Sequence, residues 1–147
     1  MADRLHLDRF VPYLLSVTSN RVSDRIARAY DALFGLTIPE WRLIALIAEH
    51  APITQAQLGE RSRMDKVTVS RAAIALTARG LLERSPNHAD RRSHHLMLSE
   101  AGQALYAQIA PKAIELERRI FGRFDAAELE QFTQMLRRSD AAAQEED

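Results

Sequence analysis

Residues 65–102 read DKVTVSRAAIALTARGLLERSPNHADRRSHHLMLSEAG, and this stretch decides the fold. Its first part has apolar residues every three or four positions, which predicts a helix over residues 66–79 that Gly80 ends. Two short apolar runs follow at 81–84 and 95–98, and they predict the two strands of a β-hairpin. The polar, turn-rich loop between them has a charged tip. The stretch therefore predicts a helix followed by a hairpin.

Capping signals predict two further helices immediately before this stretch. Thr37 and Glu40 form a capping-box pattern, in which the Thr hydroxyl accepts from the third amide and the Glu side chain bonds back. The helix that they begin ends before Pro52. Thr54 and Gln57 repeat the pattern at the start of a shorter helix. Three short helices followed by a hairpin are the layout of a winged helix-turn-helix.

Longer helices are predicted on both sides of the winged helix-turn-helix. Apolar residues recur with the helical period over residues 8–34. After the hairpin, Ser99 caps a long helix, which Pro111 is expected to bend. A last helix is predicted over residues 125–138, and the acidic tail 139–147 is expected to fray. The predicted fold is mostly α-helical with a small β-hairpin wing.

The charge of the chain is balanced as a whole and uneven along its length. Twenty basic residues stand against twenty acidic ones. Residues 61–95 hold eight basic and three acidic side chains, an excess of five positive charges, whereas residues 125–147 have an excess of five negative charges. A basic segment in a neutral chain is typical of a nucleic-acid-binding element, and a solvated helical surface is the alternative.

Helix 66–79 separates a core face from a polar face. Val69, Ala73 and Leu76 recur at spacings of four and three, which predicts that they anchor the helix in the core. The polar side near the N-terminal end is the part that enters the major groove in helix-turn-helix proteins. Arg71 can bond guanine or clamp a phosphate, and Val67 can meet a thymine methyl. The predicted DNA contacts on this helix are Lys66, Val67, Thr68, Ser70 and Arg71.

The loop at the hairpin tip contains Asp90, Arg91 and Arg92. A cationic loop beside a helix in the major groove can reach the neighbouring minor groove, whose negative potential attracts arginine. Arg91 and Arg92 are therefore further predicted DNA contacts. The alternative is a loop whose charges only keep it solvated.

The motifs in this region resemble those of the MarR family of bacterial transcriptional regulators. An Asp-Arg-Arg motif at 90–92, followed after five residues by Leu-Ser-Glu-Ala-Gly at 98–102, resembles the wing signature of that family. The segments 65–71 and 80–84 resemble the family's DNA-binding region as well. With the flanking helices, the resemblance covers roughly residues 8–138.

The resemblance implies a homodimer with two kinds of lobe. The winged helix-turn-helix at residues 37–98 would be the DNA-binding lobe, and helices 8–34 and 99–138 would interlock in a dimerisation lobe. Apolar residues left over on the long helices independently favour a partner. Twofold symmetry predicts a pseudo-palindromic double-stranded DNA site with half-sites about 10 bp apart.

The resemblance also implies roles for single residues. Arg92 would enter the minor groove. Asp90 would hold the wing in place through an ion pair. Ser70 and Arg71 would sit in the major groove.

A small-molecule effector is implied by the same resemblance. Members of the family commonly bind small anionic or phenolic molecules between the two lobes, which weakens DNA binding, so the chain is expected to be a repressor that a ligand releases. Polar residues and a tyrosine on the first helix, with an aromatic and a basic residue on the second, are candidates for that site. The alternative is that the tryptophan belongs to the core and that the polar residues of the first helix lie on a face that is solvated or part of an interface. The candidate residues are Tyr13, Ser16, Asn20, Trp41 and Arg42.

Several other classes of protein are excluded or disfavoured. The sequence has no cysteine, which excludes disulfides, thiolate catalysis and zinc fingers. It has no phosphate-binding loop, nucleophile elbow or recognisable metal-ligand spacing, so no enzyme, metal or cofactor is predicted. The longest uncharged stretches, residues 10–20 among them, have eleven residues and are too short to cross a bilayer, and the N-terminal segment lacks the apolar core of a signal peptide. A cytoplasmic protein is therefore expected.

A helical module that binds another protein, without specific DNA binding, is the alternative function. A DNA-binding protein loses affinity steeply as salt rises, whereas such a module shows no duplex binding above background. The sequence leaves open the operator, the ligand, and whether His88, His94 and His95 make DNA binding depend on pH.

Overall fold

Six α-helices and one β-hairpin follow one another along residues 3–145, the part of the chain that this computed structural model describes. The predicted mostly helical fold with a small hairpin is confirmed. The described residues form two compact units, which divide between residues 110 and 111. None of the helices in residues 3–145 combines the length and the apolar content needed to cross a bilayer. The elements are α1 (Val11–Phe34), α2 (Ile38–His50), α3 (Gln55–Ser62), α4 (Lys66–Ala78), β1 (Leu82–Pro86), β2 (His94–Leu98), α5 (Glu100–Phe121) and α6 (Ala126–Gln144).

The helix starts are set by local capping, as the sequence predicts. At the start of α2, the Thr37 hydroxyl accepts from the Glu40 amide at 3.3 Å, and the Glu40 carboxylate accepts from the Thr37 amide at 2.8 Å. Thr54 and Gln57 make the same two bonds at the start of α3, at 3.2 and 3.0 Å. A third capping box begins α6. Each box satisfies two amides that the first helical turn leaves without a partner.

The first long helix begins later than the sequence predicts because the chain turns before it. Residues Leu7–Arg9 form a single 3₁₀ turn, and the extended residue Phe10 separates it from Val11, the first residue of α1. Pro12 lies in the first turn of α1, where its missing N–H costs no hydrogen bond. Gly35 ends the helix in the left-handed conformation, at φ +62°, which glycine adopts without a Cβ clash.

The two hairpin strands are antiparallel and longer than predicted. Pro86 pairs with His94 at the far end of the hairpin, so β1 extends two residues beyond its predicted end at residue 84. A proline at the end of a strand removes no hydrogen bond that the pairing needs. Ile53 forms an antiparallel bridge with Leu96, with N···O distances of 3.3 and 2.8 Å, and this bridge attaches the segment before α3 to the hairpin.

The core of the first unit draws apolar side chains from helices and hairpin alike. Tyr30 of α1 belongs to this core, with its ring centroid 5.0 Å from that of Trp41 on α2. Burial raises the pKa of the Tyr30 hydroxyl. The largest fully buried side chains are Tyr30, Leu36, Leu43, Ile44, Ile47, Leu58, Val69, Leu76, Leu96 and Ile109.

The second unit comprises the end of α5 and the whole of α6. Phe121 packs against Phe124 and Phe132, with ring centroids 6.4 and 5.9 Å apart. Leu116 is buried as well. An ion pair between Arg119 and Glu115, at 2.6 Å, lies on the surface of α5 and adds little to stability because both side chains are exposed to water.

The predicted acidic tail is helical over most of its length. α6 continues to Gln144, six residues beyond its predicted end at residue 138. Alanine is the best helix former, and the three alanines at 141–143 favour continuation of the helix. Residues 146 and 147, the end of that tail, lie outside the described residues.

Candidate nucleic-acid interface

Asp65 begins α4 as its N-cap. Its Oδ1 accepts a hydrogen bond from the Thr68 amide at 2.7 Å. That bond, a further one with the Thr68 hydroxyl and the nearby charge of Arg71 lower the pKa of the Asp65 carboxyl. The ionised carboxylate therefore fixes the first turn of α4, where the predicted DNA-contacting residues begin.

α4 separates a buried face from an exposed face, as the sequence predicts. The side chains predicted to anchor it are all buried, and Ala72 joins them; the set is Val69, Ala72, Ala73 and Leu76. The helix thus presents its other side to solvent. Of the five predicted contacts, the exposed ones are Lys66, Val67 and Arg71, and the partly buried ones are Thr68 and Ser70.

The turn between α3 and α4 is held by Ser62 and strained at Arg63. The Ser62 hydroxyl donates to the Leu58 carbonyl at 2.6 Å and accepts from the Met64 amide at 3.2 Å. Arg63 has φ +60°, in the left-handed region that costs a residue with a Cβ about 1–2 kcal/mol. Its exposed side chain adds a cation just before α4. Arg63 is not among the predicted DNA contacts, because only the local excess of positive charge in the sequence points to it.

Asp90 organises the hairpin tip through hydrogen bonds. Its Oδ1 accepts from the Arg92 amide at 3.0 Å, and its carbonyl accepts from the Ser93 amide at 3.2 Å. In residues 3–145 no cationic side chain lies within 4.0 Å of the Asp90 carboxylate. The predicted ion pair is therefore wrong, because the carboxylate turns inward to an amide of its own loop. The Arg91 and Arg92 side chains are exposed.

A basic cleft of about 390 Å³ lies between α3, α4 and the wing. Lys66 from α4, Arg84 from β1 and Arg92 from the wing loop line it together. None of the described residues that line it is acidic. A cleft lined by cations without a carboxylate attracts phosphate groups. Its other lining residues are Gln55, Ala56, Ser93, His94 and Leu96.

Arg84 supplies a positive charge to the cleft but is not among the predicted DNA contacts. It pairs with the buried Leu96 across the hairpin, so both residues lie on the same face of the two strands. The alternation along β1 is the signal that points to this placement. The signal is usable only with the correct pairing register, which the sequence alone does not supply.

The Leu-Ser-Glu-Ala-Gly motif at residues 98–102 stabilises the base of the wing through hydrogen bonds and close packing. The Ser99 hydroxyl donates to the Gly80 carbonyl at 2.6 Å and accepts from the Gly102 amide at 3.0 Å. The Ser99 amide donates to the Leu81 carbonyl at 3.0 Å. Gly102 is buried, and a Cβ at this position would overlap the Leu81 carbonyl oxygen. The motif therefore joins the end of α4, the base of the wing and the start of α5.

The five predicted ligand-binding residues do not meet within one chain. Trp41 lies against Tyr30, near the end of α1. Tyr13 precedes Tyr30 by seventeen residues on the same helix, a distance of about 25 Å at 1.5 Å per residue. Trp41 Nε1 is buried and has no hydrogen-bond partner among the described residues. The other three candidates, all exposed, are Ser16, Asn20 and Arg42.

The first unit also has a cavity of about 600 Å³ between the end of α2, the hairpin and the start of α5. Its volume suits a small organic molecule. Glu83 lines it together with Gln103 and Tyr106, and none of the described lining residues is basic, so an anion is disfavoured there. In residues 3–145, no three His, Asp or Glu side chains come together in a way that could hold a metal ion.

The candidate interface lies within the part of the chain that matches a known protein family. The model of the MarR family matches residues 34–93, from the end of α1 to the wing loop. The transcriptional regulator HosA of Escherichia coli is 30% identical over 112 residues, which are 76% of this chain and 83% of HosA. The HTH-type transcriptional repressor NicR of Pseudomonas putida is 29% identical over 103 residues, 70% of this chain and 65% of NicR.

A solved structure extends the similarity to nearly the whole chain. The crystal structure of a MarR/EmrR family transcriptional regulator from Acinetobacter sp. ADP1 matches with a TM-score of 0.86 and 25% identity. The match covers 95% of this chain and 98% of that one. All three similar proteins are transcriptional regulators, which agrees with the prediction of a DNA-binding regulator rather than an enzyme.

Proposed function

This chain belongs to the MarR family of transcriptional regulators, and we propose that it represses transcription as a homodimer on a pseudo-palindromic operator. A small aromatic or anionic ligand then releases the DNA. The observation that carries the proposal is the basic cleft, which Lys66 of α4 lines together with Arg84 and Arg92 of the wing. A DNA phosphate in this cleft leaves the exposed face of α4 free to enter the major groove.

The proposed DNA contacts divide into those that position the protein and those that read bases. Lys66 and Arg84 bind phosphates in the cleft, which fixes orientation without reading sequence. Arg71 bonds a base edge from the exposed face of α4. Arg91 and Arg92 reach the neighbouring minor groove from the wing loop. The hydroxyls of Thr68 and Ser70 can bond a phosphate or a base edge, and Val67 lies on the exposed face of α4 with Arg71.

Exposed apolar side chains support the homodimer. Apolar groups in such numbers are rarely left in water, so we assign them to contacts between two copies of the chain. Twofold symmetry then sets the half-sites one helical turn, about 10 bp, apart. On the N-terminal segment and α1 they are Leu5, Leu7, Phe10, Val11, Leu14 and Leu15, and on α6 they are Phe132, Met135 and Leu136.

The ligand site of the proposal needs both copies. Tyr13, Ser16 and Asn20 lie far along α1 from Trp41, so a shared site requires α1 of one protomer near α2 of its partner. The buried N–H of Trp41 can donate to an acceptor on the ligand, and Arg42 supplies a positive charge. NicR is named a repressor, which supports repression as the mode of action. Trp41 is the single tryptophan of the sequence, so its fluorescence reports binding from a panel of aromatic carboxylates.

Selection from a random pool of DNA duplexes, followed by affinity measurements at several salt concentrations, tests the proposal. We expect a palindromic sequence and a steep loss of affinity as salt rises. Arg84→Ala removes a proposed phosphate contact in the cleft, so it is expected to weaken binding and to reduce the salt slope by about one per protomer. Arg123→Ala removes an exposed arginine from the second unit and should change neither quantity. Selection of no sequence at low salt would contradict the proposal and favour the protein-binding module.

A further inference from the structure

Two large apolar side chains are exposed on α4 and are not packed into the core of the folded chain. Val67 is 57% exposed and Ile74 is 59% exposed. Both are β-branched, and β-branched residues are poorer helix formers than alanine. They therefore contribute neither core burial nor helix propensity to the folded chain.

Val67 and Ile74 lie in line along the exposed face of α4. They are seven residues apart, almost two full turns, so their side chains leave the helix in nearly the same direction. Arg71 lies between them on that face, opposite the buried Val69 and Ala73. The helical rise separates Val67 from Ile74 by about 10 Å, which corresponds to about three base pairs of DNA.

We propose that Val67 and Ile74 are specificity residues that each contact the C5 methyl of a thymine in the major groove. Each half-site then contains two thymines, on either strand, about three base pairs apart, with the base that Arg71 reads between them. This inference rests on the proposed function and adds to it the base composition of the operator.

Thymine is the base that suits an apolar side chain. It alone presents a methyl group in the major groove, whereas the other base edges there present hydrogen-bond donors and acceptors. An apolar side chain pressed against such an edge leaves it without a hydrogen-bond partner after water is expelled, which is unfavourable. Val67 and Ile74 therefore favour thymine and disfavour the other three bases.

The surroundings of this face identify DNA as its occupant. Lys66, next to Val67, lines the basic cleft together with Arg84 and Arg92. α4 contains no acidic residue, and Arg71 is exposed between the two apolar side chains. DNA matches both features of this face, because its phosphates attract the cations and its thymine methyl groups can contact the apolar side chains.

Replacement of thymine by deoxyuridine tests the proposal because it removes only the C5 methyl. Each thymine of the selected operator is replaced in turn, and affinity is measured at fixed salt for the wild type, Val67→Ala and Ile74→Ala. The affinity of the wild type is expected to fall about fourfold at each of two positions per half-site, which corresponds to the loss of one buried methyl group. Val67→Ala should be insensitive at one of these positions, and Ile74→Ala at the other.

Two controls separate methyl contacts from other effects. Both alanine variants are expected to fold, since alanine favours the helix, and thermal melting checks this. Arg92→Ala should bind every duplex more weakly and keep both methyl sensitivities. Wild-type affinity that is unchanged by deoxyuridine, or variants that keep both wild-type sensitivities, would overturn the inference and leave the proposed function intact. Selection of no operator at all would overturn both.

Discussion

Asp65 shows how one side chain couples the folding of α4 to pH. Hydrogen bonds from the Thr68 amide and hydroxyl lower the pKa of its carboxyl in the folded chain. A carboxyl whose pKa is lower in the folded state than in the unfolded state adds stability above its unfolded-state pKa. That stability is lost as the pH falls through the folded-state pKa.

We therefore expect Asp65→Asn to melt at a lower temperature than the wild type at neutral pH, since asparagine keeps the capping oxygen and loses the charge. The difference should shrink as the pH falls through the acidic range in which Asp65 takes up a proton. Melting curves recorded by circular dichroism at a series of pH values measure it. Asp24→Asn, at an exposed aspartate inside α1 that caps no helix, is the control. A difference that does not vary with pH would show that the charge of Asp65 contributes nothing.

Single residues are predictable from sequence where their partners are local. Thr37 and Thr54 each bond a residue three positions along the chain, and the capping-box pattern specifies that partner completely. Asp90 also bonds a local partner, the Arg92 amide. The family resemblance implied an ion pair there instead, because a resemblance carries over the role of a residue and gives no information on the backbone conformation of this loop.

At the scale of elements, Gly102 holds α5 against the start of the wing. Its Cα lies so close to the Leu81 carbonyl that a Cβ has no room. Because this carbonyl belongs to the backbone, it cannot move aside as a flexible side chain would. Gly102→Ala is expected to destabilise the chain by about 1–3 kcal/mol, the usual cost of an overpacked core. Urea unfolding measures the change in the free energy of unfolding.

Gly59 provides the matched control for Gly102. It lies inside α3, and a Cβ there would be 3.4 Å from the Met64 carbonyl oxygen, an ordinary contact. Gly59→Ala is expected to stabilise the chain, since alanine exceeds glycine in helix propensity by about 1 kcal/mol. Equal effects of the two substitutions would refute the steric role of Gly102.

The order of the helices and strands could be predicted from the sequence, whereas the residues at which they begin and end could be predicted less well. The hydrophobic period and the caps identify α2, α3 and α4, whose starts depend on neighbouring residues. The extra residues of β1 depend on pairing with β2, which is a contact distant in sequence. The basic cleft joins Lys66 to Arg84 for the same reason, so neither its shape nor its full set of residues follows from local pattern.

At the scale of the whole molecule, the sequence indicates candidate ligand-binding residues but does not predict the distances between them. Tyr13 and Trp41 were grouped by chemistry, as an aromatic pair beside polar and basic groups. α1 is one continuous helix of 24 residues, and its length separates the exposed first half from the end that contacts Trp41. Distances of this kind follow from helix geometry and packing, which composition does not record.

The exposed apolar face of α6 makes the homodimer testable. Met135 is 53% exposed beside Phe132 and Leu136. In an isologous interface, Met135→Lys introduces two cations, one from each copy, into an apolar contact. We expect the dimer Kd, measured by analytical ultracentrifugation, to rise about a hundredfold or more, and operator affinity to fall because a monomer holds only one half-site. Ala141→Lys adds the same charge on the far side of α6 and should leave the dimer intact. A Met135→Lys protein as dimeric as the wild type would exclude this face of α6 from the interface.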